Sequence, residues 1–280
     1  AALSRLLRAL RDSEVDLLVV NVGDDPEVRA TASRGPGVVR VVPTPNRGYG
    51  AAVNAAAQAA CGEVVVFTND DAVVGRDTVA TLAGAVLGGG ADVALPRVLG
   101  ADGLDGGTVL ALPTPSRLLV EWALLPDRPI PGLEHLPVEK WRRPEVAEDV
   151  AAGSAVTVAA RTEVLRATPM PDDYFLYWEE LEWFWRLRAR GAAVVFVPDA
   201  TVVHDGGRGD VRVDKSRLLA RNAVRCVRRT QGRRAALAAY GVVILWNARL
   251  VATAALCAHR TLRPRLAGLG AALTSWREIR

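Results

Sequence analysis

The chain is poor in the residues that staple small folds or build compact metal modules. Its 280 residues include 3 Cys, 3 His and 1 Met. Cys61, Cys226 and Cys257 are odd in number and widely spaced. That excludes a disulfide framework and a Cys-rich zinc module, and it fits a reducing compartment. Aromatic residues make up 5% of the chain, yet seven fall within residues 174–185, so that stretch stands out. No internal repeat is present, and no low-complexity tract beyond an alanine bias. The chain opens at Ala1 without Met, charged leader or signal-type apolar stretch, and is expected to be processed or incomplete.

Negative charge is scarce in the last quarter. Residues 205–280 carry 16 Lys+Arg against 4 Asp+Glu, a net +12. Residues 1–204 carry 19 against 27, a net −8. The overall +4 conceals this split. Uniform coating of nucleic acid is a poor model for such a chain, and no nucleic-acid partner is expected. A basic tail meeting an anionic surface is a better one. Half the residues are apolar, enough for a full core and against global disorder.

Strands and helices alternate through the first hundred residues. Leu3, Leu6, Leu7 and Leu10 recur at helical spacing over residues 3–11. Apolar runs predict strands at 16–20, 37–42, 63–67 and 91–95, the second stopped by Pro43 and Pro45. Helices are predicted at 48–60 and 77–87, the latter stopped by Gly88-Gly89-Gly90. This alternation predicts a mostly parallel sheet covered by helices, with the ligand at the carboxyl ends of the strands. Residues 96–145 read as loops with a hairpin across 103–107. A strand is predicted at 155–159, a helix at 179–190, and short strands at 193–197 and 201–203. Thereafter 213–230 reads as a basic helix, 235–259 as an apolar one, and 266–276 as a last helix.

Four constellations carry chemistry. Asn69-Asp70-Asp71 ends an apolar strand. Adjacent carboxylates repel, and a divalent cation shared with substrate phosphates relieves that; a solvated, helix-capping turn has the same spacing. Glu179, Glu180 and Glu182 begin a helix among the clustered aromatics. The helix dipole and an i,i+4 pair with Arg186 account for Glu182. They explain Glu179 and Glu180 less well, and a carboxylate among aromatic walls can serve as a general base. Aromatic faces also suit sugar rings, although several of these rings belong in a core. His204 ends an apolar strand before a Gly-rich loop, a place where a structural or a ligating His fits. Asn46-Arg47-Gly48-Tyr49-Gly50 leads into a helix whose start could approach an anion. It lacks the third glycine of a dinucleotide-binding fingerprint.

Taken in order, these pieces resemble the inverting family-2 glycosyltransferases of the GT-A fold, bacterial rhamnosyltransferase-like members most closely. The resemblance covers residues 3–231. It rests on Val20-Asn21-Val22-Gly23-Asp24, Asn46 through Asn54, Asn69-Asp70-Asp71, Gly153-Ser154, Phe175 to Arg186, and Val197 to His204. It implies an α/β GT-A fold: a Rossmann-like, mostly parallel mixed sheet flanked by helices, followed by a C-terminal helical extension. The catalytic domain is expected over 1–209 and the extension over 210–280.

The resemblance also implies roles. Asp71 and His204 are expected to hold Mg2+ or Mn2+. Asn21, Asp24, Asn46, Gly48, Asn54 and Asp70 are expected around the nucleotide-sugar donor. Glu180 is expected as the catalytic base with Glu179 as its fallback, and Gly153 and Trp178 at the acceptor. The donor would be a dTDP- or UDP-sugar, with rhamnose the first guess, and the acceptor lipid-linked or a glycan, in cell-envelope glycan synthesis.

Three departures bear on activity. The family's first strand and its T-x-N-type loop are missing, the base-contacting Asp is Asn21, and Glu replaces Asp at 180 and 182. They motivate a second reading, a catalytically inactive sugar-nucleotide or glycan-binding module. The stretch 235–259 is long enough to span a bilayer, but Asn247 and Arg249 are costly there. An interfacial or domain-packed helix is expected instead, with Arg217, Arg221, Arg225, Arg228, Arg229, Arg233 and Arg234 facing anionic lipid on the cytoplasmic side of the plasma membrane.

Overall fold

A computed structural model describes residues 2–10, 15–34, 39–126, 129–133, 136–204, 213–256 and 261–279. The chain begins with helix α1 (Ala2–Ala9), strand β1 (Leu17–Val22), α2 (Pro26–Ser33) and β2 (Val39–Thr44). Asp25 caps α2 by accepting from the Glu27 N–H at 2.8 Å, and Pro26 fills the first helical position. β1 and β2 form a parallel pair with Asn21 opposite Pro43. Pro43 therefore does not stop the strand as its sequence predicts: β2 pairs on one side only, and a proline needs no partner on a free edge. Leu7 of α1 packs with Val19, while Leu6 and Leu10 pack with Ala72 and Val74, so the first turns link two sheets.

Next come α3 (Tyr49–Ala59), β3 (Val64–Thr68), β4 (Ala72–Val74), α4 (Arg76–Leu87), β5 (Val93–Gly100) and β6 (Val109–Leu110). A short α5 (Pro115–Arg117) runs into a π-helical turn, Leu118–Leu124. Then follow β7 (Glu148–Asp149), β8 (Ala152–Gly153), β9 (Thr157–Arg161), α6 (Thr162–Ala167), α7 (Glu179–Ala189) and β10 (Val194–His204). The chain ends in α8 (Val213–Gln231), α9 (Arg233–Leu256), α10 (Leu262–Thr274) and a 3-10 turn, Ser275–Ile279.

The main sheet runs β3-β9-β5-β10-β4, with β7 on β10. β5 and β10 are parallel; β3/β9, β5/β9 and β10/β4 are antiparallel. The sheet is mixed, with fewer parallel pairs than strand–helix alternation alone suggests. One reason is that β4 follows β3 after only Asn69–Asp71, with no crossover helix between them. The two short strands predicted near 193–203 are one strand, β10, with a register shift between Val197 and Thr201. Pro198 cannot donate to a ladder, and the bulge absorbs it.

Period-two alternation sorts the core. Val93, Leu95, Val158, Ala160, Val194 and Phe196 face one layer with α3, α7 and α8. Ala94, Ala159 and Val197 face the other, against Leu82 and Val86 of α4. The first layer is continuous with Ala220, Ala223, Val224 and Val227 of α8 and Ala236, Ala239 and Val243 of α9. The C-terminal helices therefore share a core with the sheet. The expected 209/210 boundary, and the Gly-rich loop after His204, lie outside the described residues, as do Cys257 and His259.

Candidate active site

Asn69–Asp71 turns the chain from β3 into β4. The Asn69 N–H donates to the Val156 carbonyl at 2.9 Å, and the Ala72 N–H to the Asn69 carbonyl at 3.2 Å. β4 pairs antiparallel with the end of β10, His204 opposite Ala72. That register brings together two residues 133 apart in sequence: His204 Nε2 lies 3.1 Å from Asp71 Oδ1. Asp70 beside them is exposed.

The pair offers one imidazole nitrogen and one carboxylate, both partly accessible. Among the described residues no group of three or more His, Cys, Asp or Glu could hold a metal. A two-residue set fits Mg2+ or Mn2+, which commonly keep water and substrate phosphate oxygens for the remaining positions.

The expected donor residues divide by what they touch. Asn21 is fully buried; its Nδ2 donates to the Asp25 carbonyl and its Oδ1 accepts from the Asp25 N–H, both at 2.9 Å. It holds the loop and does not present its amide to solvent. Asp24 is exposed in a left-handed conformation and pairs with Arg29. Asn54 bonds both ways to the Met170 backbone, at 2.8 and 2.9 Å. Asn46 is exposed. Gly48 has φ +102° and lies against the Phe175 backbone, where a Cβ would collide.

That contact belongs to a turn that aims α7. Tyr49 N–H donates to the Phe175 carbonyl at 2.9 Å. Phe175, Tyr177 and Trp178 all have positive φ, 67°, 68° and 78°. Trp178 is the N-cap of α7 and has no side-chain capping bond. Glu179 is 3% exposed. An enclosed oxygen of Glu179, one of Glu180, and Trp178 Nε1 all lack hydrogen-bond partners. Unpartnered buried polar atoms are uncommon and call for an explanation.

Burial, reinforced by the neighbouring Glu180, raises the Glu179 carboxyl to about 8 against the pull of backbone N–H groups. Burial also raises Glu180. The two act as a coupled pair that retains a proton well above the ordinary carboxylate range. The Tyr49 hydroxyl donates to the Ala155 carbonyl at 2.6 Å. Burial and then both glutamates push its pKa up, so it stays protonated.

Glu182, two residues on, is the opposite case. It is 1% exposed and accepts from Tyr174 and Arg186, with Arg229 Nε at 3.2 Å. The i,i+4 pair with Arg186 is present, and α8 adds a second cation that spacing along α7 could not reveal. Gly153 is buried in β8, where a Cβ would strike Leu95 Cδ1. Trp178 is buried and stacks against Trp122 at 5.0 Å, which meets Trp246 of α9 edge-on at 5.3 Å.

Several of the expected lipid-facing arginines are engaged by groups of the protein itself. Arg229 binds Asp173 at 2.7 Å and Arg225 lies 3.2 Å from Glu278. Arg221 also pairs with Glu278, at 3.3 Å, and Arg228 donates to the Ile279 carbonyl. Burial would raise Asp173, but Arg229 and Arg225 hold it below the usual carboxylate range. Asp173 and Glu182 of the body attract Arg225 and Arg229, and Glu278 at the C-terminal end of the chain attracts Arg221 and Arg225.

No curated protein sequence matches the chain. Among solved structures it is similar to residues 1–349 of S. aureus TarS: 15% identity, TM-score 0.51, covering 98% of this chain and 77% of that one. It is similar to the mannosyltransferase PcManGT of Pyrobaculum calidifontis, solved with GDP-Man and Mn2+: 16% identity, TM-score 0.53, coverage 98% and 83%. A mycobacterial protein is similar at 18% identity and TM-score 0.54, over 82% and 70%. Residues 1–130 match the model of Glycosyl transferase family 2. The fold is that of the GT-A glycosyltransferases, and fold and family match together support glycosyl transfer as the reaction class.

Proposed function

We propose that the chain is an inverting, metal-dependent glycosyltransferase that takes a nucleotide sugar and acts on a lipid-linked or polysaccharide acceptor. The observation that carries this reading is the pairing of two unlike sites. Asp71 and His204 meet at 3.1 Å with accessible donor atoms, and Glu179 and Glu180 keep unpartnered, enclosed oxygens at the start of α7. A divalent ion held by Asp71 and His204 would supply positive charge opposite a departing diphosphate. Glu180 is the group we assign to take the proton from the acceptor hydroxyl as its oxygen attacks the anomeric carbon. Glu179 tunes that step electrostatically, through its own state of protonation beside Glu180. One displacement inverts the configuration, with no enzyme nucleophile. Trp178 and Gly153 are the residues we assign to the acceptor side: Trp178 keeps an unpartnered indole N–H, and Gly153 leaves room for Leu95.

The acceptor side favours a membrane. α9 is long and apolar enough to cross a bilayer by length and composition. It carries the buried Asn247 and also Arg249, whose Nη2 donates to the Trp122 carbonyl at 3.3 Å. These suit a helix packed along the body better than one crossing lipid. Leu237, Leu245 and Leu256 are exposed on it, and Arg233 and Arg234 are exposed at its start. We propose peripheral binding to anionic lipid on the cytoplasmic face through this helix.

The test is a thermal-shift screen of nucleoside diphosphates, dTDP and UDP first, with Mg2+ or Mn2+. One nucleotide is expected to raise the Tm only with the cation, and Asp71→Ala should lose the shift. Absence of any cation-dependent shift contradicts the reading. A shift without turnover of any sugar nucleotide would favour an inactive binding module.

A further inference from the structure

The turn from Tyr174 to Trp178 is held from two sides, by the start of α3 and by the C-terminal helix α8. Phe175, Tyr177 and Trp178 adopt positive φ, which aromatic L-residues rarely adopt without tertiary support. One contribution comes from the Asn46–Asn54 segment: Gly48 admits the Phe175 backbone, and the Tyr49 N–H binds its carbonyl. The other comes from α8. Asn222 Nδ2 donates to the carbonyls of Tyr174, Leu176 and Tyr177, at 3.4, 3.0 and 3.1 Å. Arg225 donates to the Asp173 carbonyl at 2.7 Å, and Arg229 binds the Asp173 carboxylate at 2.7 and 2.8 Å. Positions 222, 225 and 229 lie on one face of a helix, so a single face of α8 grips the whole approach to α7.

Asn222 is fully buried, and its Oδ1 has no partner. The buried, unpartnered Oδ1 carries a desolvation cost. What Asn222 provides is three carbonyls fixed in a turn that would otherwise relax. Strain held in place by surrounding structure clusters at functional sites. The turn ends directly at Glu179 and Glu180.

We infer that Asn222 is a positioning residue: by clamping the strained Tyr174–Trp178 turn, the C-terminal helix α8 sets the aim of the carboxylates that begin α7. The inference rests on the proposed role of Glu180 as the base. It gives the C-terminal layer a part in the reaction beyond carrying the domain to its acceptor.

Hydrogen exchange and transfer kinetics on the full chain test it, with the sugar nucleotide named by the donor screen. In Asn222→Ala, exchange of peptides covering 175–182 should accelerate about tenfold or more, with peptides covering 82–95 unchanged. kcat should fall roughly 10- to 100-fold with the donor KM within about threefold, because the base is misplaced while the Asp71–His204 site is untouched. Asn222→Asp, which sets an acceptor against three acceptors, should do the same or worse. Adding Phe175→Gly to Asn222→Ala should recover part of the protection, since glycine adopts positive φ freely.

Phe175→Gly alone keeps the idea testable should the Asn222 variants not fold. The ring is half exposed, so relief of strain should hold the Tm level or raise it, and a fall beyond about 3 °C would contradict the strain argument. Exchange and kcat within twofold of wild type in Asn222→Ala overturn the inference. So does a rise in donor KM that matches the loss of kcat. Glu180→Gln separates this failure from that of the underlying reading. If Glu180→Gln is fully active, the base assignment itself is wrong. If it is inactive while Asn222→Ala is normal, only the positioning role falls.

Discussion

The acidic body and the basic C-terminal layer handle charge in opposite ways. At the start of α7 the body leaves Glu179 and Glu180 each with an unpartnered enclosed oxygen. The layer directs its cations at other carboxylates of the body: Arg229 reaches both Asp173 and Glu182, and Arg225 reaches Asp173. Glu180 and Glu182 lie on the same helical turn, yet only Glu182 is neutralised, by Tyr174, Arg186 and Arg229. The −8/+12 split is therefore partly an internal interface. Some of the positive charge stabilises the body, and what remains exposed, such as Arg233 and Arg234, is available to an outer surface. At the start of α7, the carboxylate with a structural role receives cations and the two assigned to chemistry do not.

The largest expected effect is at Asp71 and His204, the proposed metal site. Asp71→Ala, or chelation of divalent ions, should lower transfer by about 10²-fold or more while leaving the Tm of the ligand-free chain within a few degrees, since Asp71 is half exposed. Steady-state assays with added Mn2+ and melting curves check this.

Next is the bridge between the two regions. Arg229→Ala removes a cation from buried Glu182 and from Asp173. Arg186 remains on Glu182, so the loss should be about 1–3 kcal/mol, read as a Tm lower by several degrees. An unchanged Tm would show that the bridge adds nothing to stability.

The uncompensated pair should give stability a distinctive pH dependence. Glu179 is raised to about 8 in the fold, against an unfolded value near 4.5. The native state then holds the proton that the unfolded chain loses. Stability should fall as pH rises from about 5 to 8, by at most about 1.4 kcal/mol per pH unit for one retained proton, and level off above. Glu179→Gln should flatten that slope. The smallest effect concerns the free edge of the layer. Arg233→Ala and Arg234→Ala should each weaken co-sedimentation with anionic vesicles by about fivefold, and salt should reverse the binding of the wild type. Equal binding to neutral vesicles would contradict the electrostatic part.

How much of this was legible in the sequence depends on range. Local patterns carried far: the apolar runs before Asn69 and His204 located the strand ends whose pairing brings Asp71 to His204. The apolar runs at 91–95 and 155–159 located two further strands, but being apolar throughout they did not mark which residues face which layer. Pro43 misled because it lies on a free edge, where tertiary context makes it harmless. Asn21 stands where the family's base-contacting Asp is expected, yet its burial turns the amide onto its own loop. Asn222 and Arg229 gave no local signal at all. They sit in a helix whose composition reads only as basic, and their partners are some fifty residues away in the chain. A run of aromatics before an acidic helix start hinted at a special turn, but positive φ at Phe175, Tyr177 and Trp178 is a property of the packed chain.

The central claim is that Glu180 performs chemistry and Glu182 performs structure. Transfer rate and Tm measured side by side for Glu180→Gln and Glu182→Gln test it most directly. The account predicts that Glu180→Gln loses about 10²- to 10⁴-fold in kcat with an unchanged or higher Tm at pH 8, while Glu182→Gln melts several degrees lower and keeps kcat within about tenfold where it is folded. Full activity in Glu180→Gln, or a greater loss of kcat in folded Glu182→Gln, would contradict it.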